Sequence, residues 1–306
     1  MAARRGADPL GQGRRGAHAQ AGSGSGDTPI VVSVVIPAHN EAKVIGRLLD
    51  GLLREAVPGE FDVVVVANGC TDGTVAAAQP YDVRVVTTPV PSKREALRLG
   101  DEAARGYPRL YVDADIELST ASVRALADVL AAPDGPLAAA PERELALADR
   151  PWPIRAYYAI WTRLPHVRAG LFGRGVIAVN DEGNARIRAL PPAMADDLAA
   201  SLAFTPDERV IVAGARAVIQ TPRTVADLMR RRVRATTSVS ELEQASATAG
   251  ERTGMRDLLA IVAGDPRLVG AAVVFVMVAV LARRRAARAI RAGDYTTWLR
   301  DESSRD

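Results

Sequence analysis

Among the 306 residues there is a single cysteine, Cys70, which excludes an internal disulfide and fits a reducing compartment. A small buried filler beside a turn is the simpler role for it than nucleophile. The three histidines, His18, His39 and His166, are scattered and give no zinc-binding spacing. Aromatic residues make up 4% of the chain and do not alternate with basic ones. With a formal charge of only +3, this gives nucleic-acid binding little support. Residues 1–29 are rich in Gly, Ala, Arg and Ser and nearly devoid of large apolar side chains, so they are expected to form a disordered tail. They carry Arg-Arg pairs but no apolar h-region, and no signal peptide is read there. What remains is long enough to bury one substantial core with appendages.

That remainder repeats a pattern of apolar run, polar turn and amphipathic stretch. Val31 to Ile36 is β-branched and nearly continuous, as in a strand covered on both faces. Pro37-Ala38-His39-Asn40-Glu41 breaks it, with Asn40 expected to cap the next helix and Glu41 to lie in its first turn. Val44, Leu48, Leu52 and Ile45, Leu49, Leu53 give that helix one apolar face. A second run, Phe61 to Ala67, ends in Asn68-Gly69-Cys70-Thr71-Asp72-Gly73-Thr74. A third, Val83 to Thr87, precedes a helix expected from Ser92 to Arg105. The fourth, Leu110-Tyr111-Val112, stops at Asp113-Ala114-Asp115.

Strands alternating with helices across short connections imply right-handed crossovers and a mostly parallel sheet. Ligands of such sheets bind beyond the carboxyl ends of the strands, where all three polar turns fall. Two carboxylates one residue apart at a strand end suit a hard divalent cation, Mg²⁺ or Mn²⁺, whose other ligands come from phosphate and water.

In this order, residues 37–41, 68–74 and 113–115 resemble the nucleotide-sugar motifs of family 2 glycosyltransferases over roughly residues 31–235. The resemblance implies a GT-A type α/β fold: a mostly parallel, doubly wound sheet with flanking helices, here followed by a C-terminal apolar helical region. It implies that Pro37, Ala38, Asn40 and Glu41 touch the nucleoside and that Asn68 and Asp72 line the base pocket. Asp113 and Asp115 would then face the ribose and a Mg²⁺ or Mn²⁺ ion. Many members carry two aspartates where Ala67-Asn68 stands, which leaves the base undetermined. Lys93 and Arg94 would add cationic contacts to phosphate, or else form a solvated first turn of a helix. Asp196-Asp197 resembles the family's acidic pair, with Asp197 as general base and Asp196 in support; adjacent carboxylates raise one pKa. Residues 173–180 resemble its glycine-rich acceptor segment. The usual Gln-x-x-Arg-Trp is missing near Arg230–Arg234, which speaks against processive polymer synthesis.

Leu268 to Ala282 is uninterrupted apolar sequence, about 22 Å as a helix and short of the ~30 Å hydrocarbon core. Arginines at 230–234 and 283–285 flank the region, so the positive-inside tendency keeps both flanks cytoplasmic. A shallow hairpin bent at Gly264-Asp265-Pro266 reconciles charge with length; a buried helix is the alternative. The domains expected are a tail (1–29), a glycosyltransferase domain (30–235) and a membrane-associated helical segment (236–306). The reading is an inverting, metal-dependent transferase at the cytoplasmic face of a membrane, or else cytoplasmic. It would move a sugar from a nucleotide diphosphate to a lipid, glycan or small-molecule acceptor. A non-catalytic nucleotide-sugar-binding scaffold and a nucleotidyltransferase are the alternatives.

Overall fold

The structure, a computed structural model, describes residues 32–190, 197–245 and 254–291. The tail at 1–29 and Asp196 lie outside the described residues, as does the side chain of Asp197. Strands β1 (Val32–Ala38), β2 (Phe61–Asn68), β3 (Arg84–Thr88) and β4 (Arg109–Val112) pair in parallel in the order β3-β2-β1-β4. The intervening helices are α1 (Ile45–Leu53), α2 (Thr74–Ala78) and α3 (Lys93–Ala103). Beyond β4 the sheet turns mixed. β5 (Ile116–Leu118), β6 (Ala138–Ala146), β7 (Val176–Val179) and β8 (Arg209–Gln220) extend it in the order β4-β7-β6-β8-β5. β7 is antiparallel to both neighbours, β6 and β8 are parallel, and β5 is antiparallel to β8.

The β-branched runs are continuous because both sheet faces are covered. From β1 and β2, Val34, Ile36, Val63 and Val65 join the main core with α1 and α4 (Thr120–Ala131). Val64 and Val66 face α3 on the other side. On α1, Ile45, Leu48, Leu49 and Leu52 are fully buried, each contributing about 1.5–3 kcal/mol by transfer from water. Gly100 lets α3 settle on the sheet, since a Cβ there would lie 2.3 Å from Val35 Cγ1.

A second apolar cluster gathers α5 (Trp152–Trp161), α6 (Pro165–Ala169), α9 (Val225–Ala245), α10 (Met255–Gly264) and α11 (Val269–Arg291). α9 runs through residue 235, so the C-terminal helices share a core with α5 and with the end of the sheet domain's chain. α7 (Asp181–Arg188) and α8 (Asp197–Leu202) follow β7. The helix is interrupted at residues 264–266: α10 ends at Gly264, and a short 3-10 turn (Pro266–Leu268) leads into α11. α11 outruns the apolar sequence, because alanine and arginine propagate a helix as well as valine or better. Segment 266–288 is long and apolar enough to cross a membrane by length and composition.

Candidate active site

The first two polar turns are stitched into one unit at the carboxyl edge of the sheet. Asn40 adopts φ 52°, a left-handed conformation that asparagine tolerates better than most residues. Its side chain does not cap α1. The chain makes a further turn through Glu41–Val44, α1 begins only at Ile45, and Val44 precedes it with no side-chain cap. The Asn40 Oδ1 instead accepts from the Thr71 backbone N–H at 2.7 Å. His39 Nδ1 lies 2.6 Å from the Asn68 carbonyl oxygen, and the Asn40 N–H donates to Cys70 Sγ at 3.4 Å. Cys70 is half-buried rather than a buried filler, and its sulfur, which also lies 3.4 Å from the Ala38 carbonyl oxygen, helps join the turns. Gly69 is required twice over: φ is +55°, and a Cβ would come within 2.7 Å of Pro91.

Asp72 is committed on both oxygens. Oδ2 accepts from the Ala42 N–H at 3.1 Å, and Oδ1 from the Thr74 N–H at 3.0 Å and from the Thr74 hydroxyl. Burial would raise its pKa, but those hydrogen bonds to the charged form outweigh it and hold the carboxyl below its usual range. The Thr74 hydroxyl also accepts from the Glu41 N–H at 2.8 Å. Asn68, buried at the end of β2, donates from Nδ2 to the Ala38 carbonyl at 2.8 Å. Its buried Oδ1 has no hydrogen-bond partner among the described residues.

The third turn, Asp113–Asp115, links β4 to β5. Ala114 is buried in the main core and anchors it between the two carboxylates. Lys93, the first residue of α3, reaches Asp113 Oδ1 at 2.7 Å, with both side chains partly exposed. α3 starts where expected, capped by Ser92 Oγ accepting from the Glu95 N–H at 3.3 Å. The Asp113 N–H donates to the Gly175 carbonyl at 2.8 Å, tying this turn to the glycine-rich segment before β7. Gly175 has φ +69°, and a Cβ would meet Ile116 at 2.6 Å. Arg47 of α1 donates to the Asp115 carbonyl at 3.3 Å and lies 3.5 Å from Glu117.

Beside these turns a cavity of about 350 Å³ opens between α3, β4, β7 and the end of α7. Pro37, Lys93, Arg94 and Asp113 line it, and Ala200 of α8, one turn beyond Asp197, closes one side. Ala38, Asn40, Glu41, Asn68, Asp72 and Asp115 are not on its wall; the first five belong to the two stitched turns and Asp115 to the third. Leu97, Val176, Ile177, Ile187 and Leu190 give the wall an apolar part, and Arg98, Glu102 and Arg188 add to its charged part.

Part of the cavity wall is a polar node without a sequence signature, to which Asp101, Tyr111 and Arg188 belong. Asp101 of α3 accepts on Oδ1 from the Arg109 guanidinium, from the Tyr111 hydroxyl at 2.7 Å and from Asn184 Nδ2 at 2.9 Å. Arg188 Nε lies 3.3 Å from its Oδ2. Burial opposes the charge on Asp101, yet the hydrogen bonds from Tyr111, Arg109 and Asn184 prevail and lower its pKa. Only a long-range pairing of charges marks these residues, and their spacing in the chain (8 to 83 residues) gives no local signal. The arginines at 230–234 contribute to packing: Arg230 pairs with Asp227, Arg231 donates to the Gln220 carbonyl at 3.2 Å, and Arg232 lies over the Tyr157 ring.

No cluster of three or more His, Cys, Asp or Glu side chains able to hold a metal occurs among the described residues. Two aspartates at a strand end match the chemistry of a hard cation whose remaining ligands come from a diphosphate and water.

Comparisons with known proteins bear on the fold and the family. A mannosyltransferase from Pyrobaculum calidifontis, solved with GDP-Man and Mn²⁺, matches 90% of this chain and 84% of its own at 19% identity and a TM-score of 0.54. Glucosyl-3-phosphoglycerate synthase from Mycobacterium tuberculosis, solved with Mn²⁺, UDP and glucosyl-3-phosphoglycerate, matches 70% and 80% at 21% identity and a TM-score of 0.51. At these identities the likeness establishes the fold. A 4,4'-diaponeurosporenoate glycosyltransferase of Staphylococcus aureus is 42% identical over 55 residues, which is 18% of this chain. The chain spans only 14% of the length of that curated relative. Residues 33–189, about half of the sequence, match glycosyl transferase family 2. The chain therefore belongs to glycosyltransferase family 2 and has a GT-A type fold.

Proposed function

We propose that the enzyme moves a sugar, with inversion at the anomeric carbon, from a nucleotide-diphosphate donor to an acceptor hydroxyl. The observation that carries this reading is the Lys93–Asp113 ion pair of 2.7 Å at the mouth of the cavity, next to the two stitched turns. In this reading Pro37, Ala38, Asn40 and Glu41 hold the nucleoside. Asn68 and Asp72 form the base pocket, Asp72 by fixing the turn and Asn68 through the acceptor oxygen that has no donor among the described residues. Asp113 and Asp115 hold a Mg²⁺ or Mn²⁺ ion, which when bound neutralises charge developing on the leaving diphosphate.

Lys93 sits within reach of the same phosphates and, before the donor arrives, balances Asp113. Asp197, at the start of α8, takes the acceptor's proton as its oxygen attacks the anomeric carbon, and Asp196 supports it. The bond from the anomeric carbon to the diphosphate breaks as the new glycosidic bond forms, and the nucleoside diphosphate leaves. The wall pairs apolar side chains with charged ones, which suits an acceptor that has both an apolar and a polar portion. We assign the enzyme to the cytoplasmic face of a membrane, in line with one cysteine and basic flanks.

A thermal-shift screen of nucleotide sugars tests this reading. One donor should raise the melting temperature with Mn²⁺ present and lose its effect in chelator, since a ligand bound only by the folded state stabilises by mass action. No shift with any nucleotide sugar, with or without metal, would overturn it.

A further inference from the structure

We infer that α11 lies flat on an anionic bilayer and seats the enzyme there through its outward face, rather than crossing the membrane. The inference rests on the membrane assignment above and on nothing in the transfer chemistry. The helix has two faces of different fate. Ala271, Phe275, Val278, Ala282 and Ala286, spaced by three and four, form a buried stripe in the second core, and Phe275 stacks on Tyr157 of α5 at 5.2 Å. Opposite it, Val273 is 58% exposed and Met277 53%, and Val280 and Leu281 continue the same side. An apolar stripe of this kind exposed to water marks an interaction surface.

Three observations select a lipid surface as its occupant. First, α11 contains five arginines and no acidic residue, and Arg284 and Arg288 fall on the outward face immediately beyond the apolar stripe. A second copy docked on the same face would offer them no carboxylate from α11, whereas anionic headgroups neutralise both. Second, Trp152 is 55% exposed although large and apolar, and its ring lies 3.8 Å from where a Cβ on Gly270 would be. An indole at the edge of an apolar face is suited to the headgroup boundary. Third, the inner stripe is already committed to α5 and α9. An upright span would carry Arg230 and Arg231 of α9, and the sheet domain attached to it, into hydrocarbon. A helix half packed, half apolar and edged with arginine matches the in-plane geometry of interfacial helices.

The test is flotation of the full chain with vesicles of phosphatidylcholine alone or of equimolar phosphatidylcholine and phosphatidylglycerol. The wild type should bind the mixed vesicles, bind neutral ones much less, and be released by high salt. Val273→Glu with Met277→Glu, which removes buried apolar area, and separately Arg284→Glu with Arg288→Glu, which removes basic residues near an anionic surface, should each weaken binding about tenfold or more. Both pairs should keep the wild-type melting temperature and the donor-induced shift, because the altered side chains face outward. Wild type that stays with neither vesicle would overturn the inference. Equal binding by both double variants would overturn this surface and leave the membrane assignment standing. Retention of α11 in the bilayer after alkaline washing would replace the in-plane helix with a span. Self-association abolished by the variants, with no vesicle binding, would identify a second copy as the occupant.

Discussion

Replacing Asp101 with alanine probes the node that joins the three elements around the cavity. Its side chain is 6% exposed and that of Arg109 5%, so the pair is removed from water. In Asp101→Ala the Arg109 guanidinium keeps, among the described residues, only backbone carbonyls, the nearest at 3.1 Å, and the face of the Tyr107 ring at 4.4 Å. None of these carries the countercharge. Breaking a buried pair from one side typically costs about 3–5 kcal/mol. For a chain of this size that corresponds to a fall of roughly 5–8 °C in melting temperature. Asp101→Asn, which keeps an acceptor for Tyr111, should lose less.

The pH dependence follows from the lowered pKa of Asp101. Its contribution is complete above the unfolded carboxyl pKa of about 3.9 and fades as pH falls through the lower folded value. The gap in melting temperature between wild type and Asp101→Ala should therefore hold at neutral pH and close on acidification below about pH 4. Scanning calorimetry across that range measures both. A variant that melts within about 2 °C of wild type at neutral pH would refute the reasoning, since the buried charge would then have found another partner.

Gly100→Ala should cost about 1–3 kcal/mol, because the new methyl would meet Val35 Cγ1 at 2.3 Å and Val66 Cγ2 at 3.1 Å and force α3 off the sheet. Chemical denaturation reads this directly. Asp197→Asn should lower turnover by roughly 10²–10⁴ with donor binding near wild type, as the amide cannot take a proton. Asp196→Asn should be milder; the reverse ranking in a transfer assay would move the base to Asp196.

The parallel half of the fold was legible because its strands are β-branched runs, as at Val32–Ile36 and Val63–Val66, each followed by a helix. The mixed half was not. β6 opens with Ala138-Ala139-Ala140-Pro141, which carries no strand preference of its own and is held by pairing with β7 and β8. The three turns at the sheet edge were visible as motifs, but their mutual bonding was not. Asn40 resembled a helix cap until its φ of 52° and its bond to Thr71 made it a clasp between turns. Asp101, Arg109 and Asn184 escaped notice because burial, which makes their charges consequential, is a property of packing. The exposure of the outward face of α11 was hidden for a related reason: composition gives an apolar helix, and only its contacts with α5 and α9 divide it into two faces.

The central claim is that Asp113 and Asp115 bind the diphosphate of a nucleotide sugar through a divalent cation. Calorimetric titration of the donor found by thermal shift into wild type and into Asp115→Ala, with Mn²⁺ and with chelator, tests it most directly. Asp115 lies in a turn anchored by its neighbour Ala114, so the variant should fold and melt like wild type. Wild type should bind only with Mn²⁺, and Asp115→Ala should show no Mn²⁺-dependent binding. Equal donor affinity in the two proteins, or wild-type affinity untouched by chelator, would contradict the claim.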